Sequence, residues 1–277
     1  MLWTSWQILA DATRTRIFAK LGSGLGIPTR MVHKPLMVPF KPILDKDPAL
    51  ANALILKATL LTFDYIEQHG PIGLTATKAL KRYFVQWAAE AFAWPNYTAA
   101  ELYAVNKVLN EADFPPLSVL HDVLLAAKLA RHYKDTMRMT AKAKLLREKP
   151  GELWEVLATT LLYTIDHRQY TGFDDAIIGN WDVFLNVINV EADHAVSEER
   201  LFKLLFGSTE TDIWIADYRL ASTFYLNILR PLCWVGLLAE HEVGEGFSKR
   251  AVYTKTSLWP AALKLGTDQY LRPATRH

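Results

Sequence analysis

The sequence predicts a mainly α protein that carries short β wings, and three observations predict it. Apolar residues recur at helical spacing through most of the chain, whereas β-prone stretches run for only a few residues. One small pattern also recurs three times: an apolar run, a short break, then a Thr beside an apolar residue and a second amphipathic run. It reads Leu60-Leu61-Thr62-Phe63 with Leu74-Thr75-Ala76-Thr77, then Leu124-Leu125-Ala126-Ala127-Lys128-Leu129 with Met139-Thr140-Ala141, then Leu232-Cys233-Trp234-Val235-Gly236-Leu237 with Tyr253-Thr254-Lys255-Thr256. That is how winged-helix units look in sequence. The expected architecture is tandem winged-helix-like units with short β wings, packed into one helical body. Its expected parts are an N-terminal helix and Pro-rich arm (1–48), two such units (49–163), and an acidic helical region with a third unit (164–277).

Each element follows from its residues. Pro28, Pro35, Pro39, Pro42 and Pro48 forbid a helix and predict an extended arm. Leu50, Leu54, Leu60, Leu61 and Ile66 predict a helix over 49–68, stopped by Gly70-Pro71. Residues 72–74 suffice for one short strand. Thr75 is a fair N-cap before an amphipathic helix ending at Phe92. Thr98 with Glu101 forms a capping box for a helix over 99–110. Ser118 caps a helix over 119–133, a short strand is expected over 136–140, and a basic helix over 141–149. Pro150-Gly151 breaks the chain before a helix over 152–163. Trp181, Phe184, Leu185 and Ile188 favour helix over strand for 174–190. Ser197 caps a short helix ending at Gly207. Residues 212–240 form one or two long helices divided at Pro231. A third short strand spans 252–254, and a last helix spans 257–265 with Pro260 in its first turn.

Composition excludes several classes. With 51% hydrophobic and 22% charged residues, the chain of 277 residues is globular, and its formal charge of +2 does not make it a general polyanion binder. The single cysteine, Cys233, excludes an internal disulfide framework and a multi-Cys zinc site, and its apolar surroundings predict a core residue. The nine tryptophans sit mostly in apolar periodic runs and read as core; Tyr83 beside Lys81 and Arg82 alone suggests an aromatic platform among cations. No stretch is long enough for a membrane span, so no membrane partner is expected and the location is expected to be cytoplasmic. Residues 1–30 lack a secretory cleavage pattern. They read as a helix packed on the body, as a weak match to a transit peptide, or as an extension ahead of Met31 or Met37.

Charge is distributed unevenly. Between Lys128 and Lys149 stand eight Lys and Arg against Asp135 and Glu148; between Asp166 and Asp217 the acids, among them Asp174, Asp175, Asp182, Glu191, Asp193, Glu198 and Glu199, face only Arg168, Arg200 and Lys203. Clustered cations of this kind neutralise phosphates. The candidate nucleic-acid-binding residues are therefore Lys128, Arg131, His132, Lys134, Arg138, Lys142 and Lys144, with Lys128, Arg131 and His132 sharing one face of the helix expected over 119–133. The alternative is a solvated face on a protein-interaction module. No helically spaced set of Arg, Asn and Gln offers base readout. Three Asp/His neighbours (His121-Asp122, Asp166-His167, Asp193-His194) are the only hint of a metal or acid-base site. Adjacent helical residues diverge by about 100°, so neither a metal nor any other cofactor is expected. Asn180, Asp182, Asn186 and Asn189 polarise one side of their segment and predict a buried polar network.

Leu74-Thr75-Ala76-Thr77 and the stretch from Leu129 to Leu146 resemble uncharacterised bacterial proteins carried as passengers on plasmids and insertion elements. The resemblance implies a prokaryotic tandem helical protein with no assigned reaction. The expected function is non-enzymatic binding, with nucleic acid met by the basic face; a protein-interaction accessory is the alternative, and an enzyme using Asp166, His167, Asp193 and His194 the third.

Overall fold

The computed structural model describes residues 38–170, 180–206, 218–244 and 250–271. The expected N-terminal helix and first part of the arm, the acids Asp174 and Asp175, and the start of the long helix expected from 212 lie outside the described residues.

Among the described residues the chain is mostly helical, with two antiparallel three-stranded sheets. No described helix is long and apolar enough to cross a membrane. The arm is extended, as its prolines require: Tyr163 Oη donates to the Val38 carbonyl (3.2 Å), and the Lys41 N–H donates to the Ala262 carbonyl (2.7 Å). Asp47 then caps a short 3₁₀ turn, Pro48–Asn52.

The first sheet belongs to one chain segment. Helix α1 (Leu54–His69) leads to strand β1 (Ile72–Gly73), then to α2 (Arg82–Phe92), α3 (Ala99–Val105) and α4 (Pro115–Ala126), and finally to the hairpin β2 (Ala130–Tyr133) and β3 (Thr136–Met139). The strand order is β1-β3-β2. The two strands expected of separate units, near 72 and near 136, are thus neighbours in one sheet, with Ile72 opposite Met137. The Thr98–Glu101 capping box is present as expected. Helices α5 (Ala141–Arg147) and α6 (Pro150–Tyr163) follow.

The second segment repeats that order among the described residues, without a counterpart of the short helix α3. Helix α7 (Trp181–Glu191), strand β4 (Val196–Ser197), α8 (Glu198–Phe206), then α9 (Tyr218–Phe224), a π turn (Tyr225–Leu229) and α10 (Arg230–Trp234) precede the hairpin β5 (Leu238–Val243) and β6 (Arg250–Lys255). Strand order is β4-β6-β5, the same first-third-second arrangement. Helix α11 (Leu258–Ala262) closes the segment.

The repeat extends to single bonds. Helix α4 ends where Lys128 turns left-handed (φ 58°), and the helical run through α10 ends where Gly236 does (φ 83°). The next N–H, of Leu129 or of Leu237, reaches back to Leu124 O or Leu232 O. Thr140 then donates its hydroxyl to Lys128 O (2.8 Å), and Thr256 donates its own to Gly236 O (2.5 Å). Their N–H groups meet Leu129 O and Leu237 O. The recurring Leu-run and Thr pattern therefore marks a real structural repeat at its second and third occurrences. At the first, Thr75 instead closes a local turn with Ala79.

Two helix ends differ from expectation for this reason. The helix expected through Tyr133 stops at Ala126, and the helical run expected through Glu240 stops at Trp234. A left-handed residue cannot continue a right-handed helix, and the residues beyond each join a strand ladder.

The two segments meet through buried bonds. Trp154, fully buried on α6, donates its indole N–H to Val235 O (2.8 Å). Trp94 and Trp234 pack edge to face at 5.3 Å. A Cβ placed on Gly236 would lie 2.6 Å from Ala53 N and from Asn52 C, whereas one on Gly70, also at positive φ, would meet nothing within 4 Å. Gly70→Ala is expected to cost about 1–3 kcal/mol of stability, from backbone conformation alone (φ 84°, ψ −173°). Gly236→Ala adds a backbone collision, expected to cost about 1–3 kcal/mol beyond its own backbone strain. Urea melts of both variants, with an unchanged m-value, test the difference; equal losses would refute the close approach.

Candidate functional site

The β2–β3 hairpin carries the densest described group of cations. Its turn is Lys134-Asp135, with Lys134 at φ 52°, the conformation that two-residue hairpin turns demand. Strand alternation sorts its side chains. Ala130 and Met137 are buried toward the helices, while Arg131 and Tyr133 are exposed on the opposite face. Arg131 is the register partner of Arg138, and Tyr133 of Thr136.

Three cations surround the half-exposed Tyr133 ring. Arg138 Cζ lies 4.6 Å from its centroid, Lys134 Nζ 5.7 Å and Arg131 Cζ 6.0 Å. Asp135, the acid of the turn, is taken by Lys78 Nζ (3.2 Å), which also donates to Lys134 O. Among the described residues, no acidic side chain pairs with Arg131, Lys134 or Arg138. Two like charges directly opposite on one sheet face repel, a cost set against the contacts of both arginines with the Tyr133 ring and the bond from Arg138 Nε to Thr136 Oγ1 (3.1 Å).

The other predicted residues have separate fates. Lys128, Arg131 and His132 do not share a helix face, because α4 ends before them; Lys128 is in the helix-ending turn and the other two are on β2. Lys128 and Lys144 are exposed. Lys142 Nζ donates to Ala127 O (3.0 Å) and so helps cap α4. In the same basic run, Arg147 is held by Asp64 and Glu67 on α1, and Lys149 by Glu152.

His132 points inward. Its Nε2 stands 2.8 Å from His121 Nε2, and His121 Nδ1 stands 2.7 Å from Glu111 Oε1. Glu111 Oε2 accepts from the Leu80 N–H (2.5 Å). Burial, then the nearby His121 and Lys78 charges, hold the His132 pKa below the usual imidazole range, so it is neutral at pH 7 and adds no cation to the hairpin. This buried row fixes the hairpin to α4. Glu111, which sequence reasoning missed, stands 31 residues from one of its partners, a separation that no local pattern reveals.

Helix α4, the third helix of the shared pattern once the added α3 is set aside, has no Lys or Arg, and only Ala126 of its residues is exposed. Asp122 accepts from Tyr170 Oη (2.5 Å). The matching run in the second segment, from Ala221 to Trp234, has no exposed residue. In the matching register the second hairpin has Ala239 opposite Thr254 where the first has Arg131 opposite Arg138, and Glu240 stands at the His132 position. Beside it, burial and then the Glu240 charge push the Glu198 carboxyl up to about 7. A cleft of about 640 Å³ flanks the start of α2, lined by Lys81, Arg82, Tyr83, Asn110 and Glu111 among others. Tyr83 is half-exposed there, with its oxygen accepting from the Gly73 N–H (2.6 Å).

The Asp/His neighbours have separate partners. Asp166 pairs with Arg168 (2.6 Å), His167 Nε2 meets Leu161 O (2.7 Å), and Asp193 pairs with Lys255 (2.9 Å). Among the described residues, no group of three His, Cys, Asp or Glu is arranged to hold a metal ion. The asparagines do build a buried network: Asn189 donates to Thr267 Oγ1 (2.9 Å) and accepts from the Trp259 indole (2.9 Å).

Residues 51–152 match the Y4jL N-terminal domain and residues 171–257 the y4jL C-terminal domain, so the two matches fall on the two repeated segments. The uncharacterized protein y4jL of Sinorhizobium fredii (strain NBRC 101917 / NGR234) is 39% identical over 167 residues, covering 59% of this chain and 74% of that relative. No solved structure matches the chain.

If the Arg131–Arg138 pair is unfavourable in the free protein, Arg131→Thr is expected to leave stability unchanged or raise it by about 0.2–1 kcal/mol. Chemical denaturation at low salt measures this. A clear loss of stability would show that Arg131 holds the hairpin together.

Proposed function

We propose that this chain, which belongs to the y4jL family, is a non-enzymatic binding protein whose two repeated segments are winged-helix-like units, and that its first hairpin contacts the phosphate backbone of nucleic acid. The reading includes a bacterial cytoplasmic setting, in the cell or on its mobile element. Support for the units comes from the order helix, strand, helix, helix, strand, strand, with first-third-second sheet pairing, occurring twice, the short α3 being an addition in the first segment. The single observation that carries the function is the set of Arg131, Lys134 and Arg138 around exposed Tyr133, with the turn carboxylate already taken by Lys78. Lys128 and Lys144 extend that surface; His132 and Lys142 are better explained as parts of the fold.

This mode differs from the familiar one in which the third helix enters the major groove. Helix α4 has neither the cations nor the exposed side chains for groove insertion. Contact through the hairpin alone is backbone contact and carries no base readout. The covered third helices favour a second reading, a protein-interaction or structural accessory, in which hairpin cations are merely solvated.

Fluorescence-anisotropy titration of mixed-sequence duplex and single-stranded DNA at two salt concentrations separates the readings. Three phosphate contacts predict a log-log salt slope of about −3 on duplex. The double variant Arg131→Glu/Arg138→Glu is expected to abolish binding, whereas His132→Gln leaves it unchanged at pH 7. Absence of binding at low salt would sink the nucleic-acid reading and leave the accessory.

A further inference from the structure

We propose that a small oxyanion, a carboxylate or phosphate group, binds the buried edge of Arg230 where the two segments meet. Arg230 opens α10 directly after the π turn, and is only 4% exposed. Its Nε and Nη2 have no hydrogen-bond partner. These two nitrogens form one side of the guanidinium, the fork that takes two oxygens of a carboxylate or phosphate at once. The face of the group is already placed: Cζ lies 4.7 Å from the Trp234 ring centroid and 6.0 Å from that of Tyr170. The groups whose charges bear on it are Tyr97, Tyr225 and Tyr170, all neutral phenols at pH 7, so no described carboxylate compensates it. A buried charge with neither counter-ion nor hydrogen bonds is strongly unfavourable, and π turns concentrate at functional sites.

Two bare acceptors stand near the same place. His167 is buried, and its Nε2 must carry the proton because its partner there, Leu161 O, can only accept. Its Nδ1 therefore offers a lone pair, and that atom is unpartnered. Asn227 Oδ1, within the π turn and three residues before Arg230, is unpartnered too. An oxyanion that also carries a hydroxyl or amino group, such as a hydroxy acid or a phosphate monoester, would satisfy both kinds of orphan. The proposal is independent of nucleic-acid binding by the hairpin.

The test is thermal unfolding of the full chain in sodium phosphate, sodium acetate and glycolate, each against sodium chloride at matched ionic strength, with calorimetric titration for stoichiometry. At about a hundred times the dissociation constant, an oxyanion is expected to raise Tm by about 5–10 °C over chloride, with one site per chain. Arg230→Met removes the buried charge at similar volume; it is expected to match or exceed the wild-type Tm in chloride and to lose the oxyanion shift. Arg131→Glu/Arg138→Glu, remote from this site, is expected to keep the shift. No oxyanion shift in the wild type, or an equal shift in Arg230→Met, would overturn the proposal. Should Arg230→Met not fold, Arg230→Lys keeps the charge without the fork and is expected to weaken phosphate binding at least tenfold; unchanged affinity in that variant would overturn it as well.

Discussion

The arrangement of the two segments depends on one close approach of backbone to backbone. The turn at Val235-Gly236 lies directly against Asn52-Ala53, so near that no Cβ fits, and the Trp154 indole pins the Val235 carbonyl from the other side. Apolar burial supplies most of the force that holds a chain of this size together, but it is not directional. A glycine that admits a neighbouring main chain and an indole that must find an acceptor are both directional. Together they fix where the second segment sits on the first, and Asn52 adds a bond to Ser257 at the same seam (3.0 Å). The third helices of both segments are drawn into this packing, so their side chains serve as core.

With those helices covered, the surfaces left for binding are the hairpins, the turns and the exposed faces of the other helices. The two hairpins, alike in topology, differ in charge. The first displays Arg131, Lys134 and Arg138, whereas the described strands of the second mix Glu240 and Glu242 with Arg250 and Lys255. A twofold repeat in the backbone thus carries two different charge patterns. The acid side is not inert: Glu240 is partly buried, its carboxyl pushed up by that burial, and it lies beside the raised Glu198.

Much of the helical order was legible in the sequence because helices advertise themselves locally. The Thr98–Glu101 box, the proline arm and the 3.6-residue spacing of Trp181, Phe184, Leu185 and Ile188 each act within a few residues. The Leu-run and Thr pattern also pointed correctly to a repeated unit, since it encodes a helix end and the strand return that closes on it. Its first occurrence misled, because Thr75 makes a local turn from similar letters. Strand pairing was not legible: Ile72 and Met137 are 65 positions apart, and two-residue strands carry no period of their own. The helix expected through Tyr133 failed for a subtler reason. Lys128 is an ordinary helix former, and nothing about it signals a left-handed residue. That one residue moved Arg131 and His132 from a common helix face to opposite faces of a strand, exposing one and half-burying the other. The basic run was visible as composition, but the ion pairs of Arg147 and Lys149, and the cap made by Lys142, needed tertiary structure to appear.

The facing arginines of the first hairpin have a consequence for its motion. Two cations held across a ladder push the strands apart, and the ladder must carry that load as long as the surface faces water. An anion set between them turns the load into attraction. Local rigidity of the hairpin and any affinity for negative charge would then be one free energy seen from two sides: what the ladder loses to repulsion in the free chain would be returned on binding a polyanion. The row from Glu111 through His121 to His132 anchors the base of the hairpin to α4.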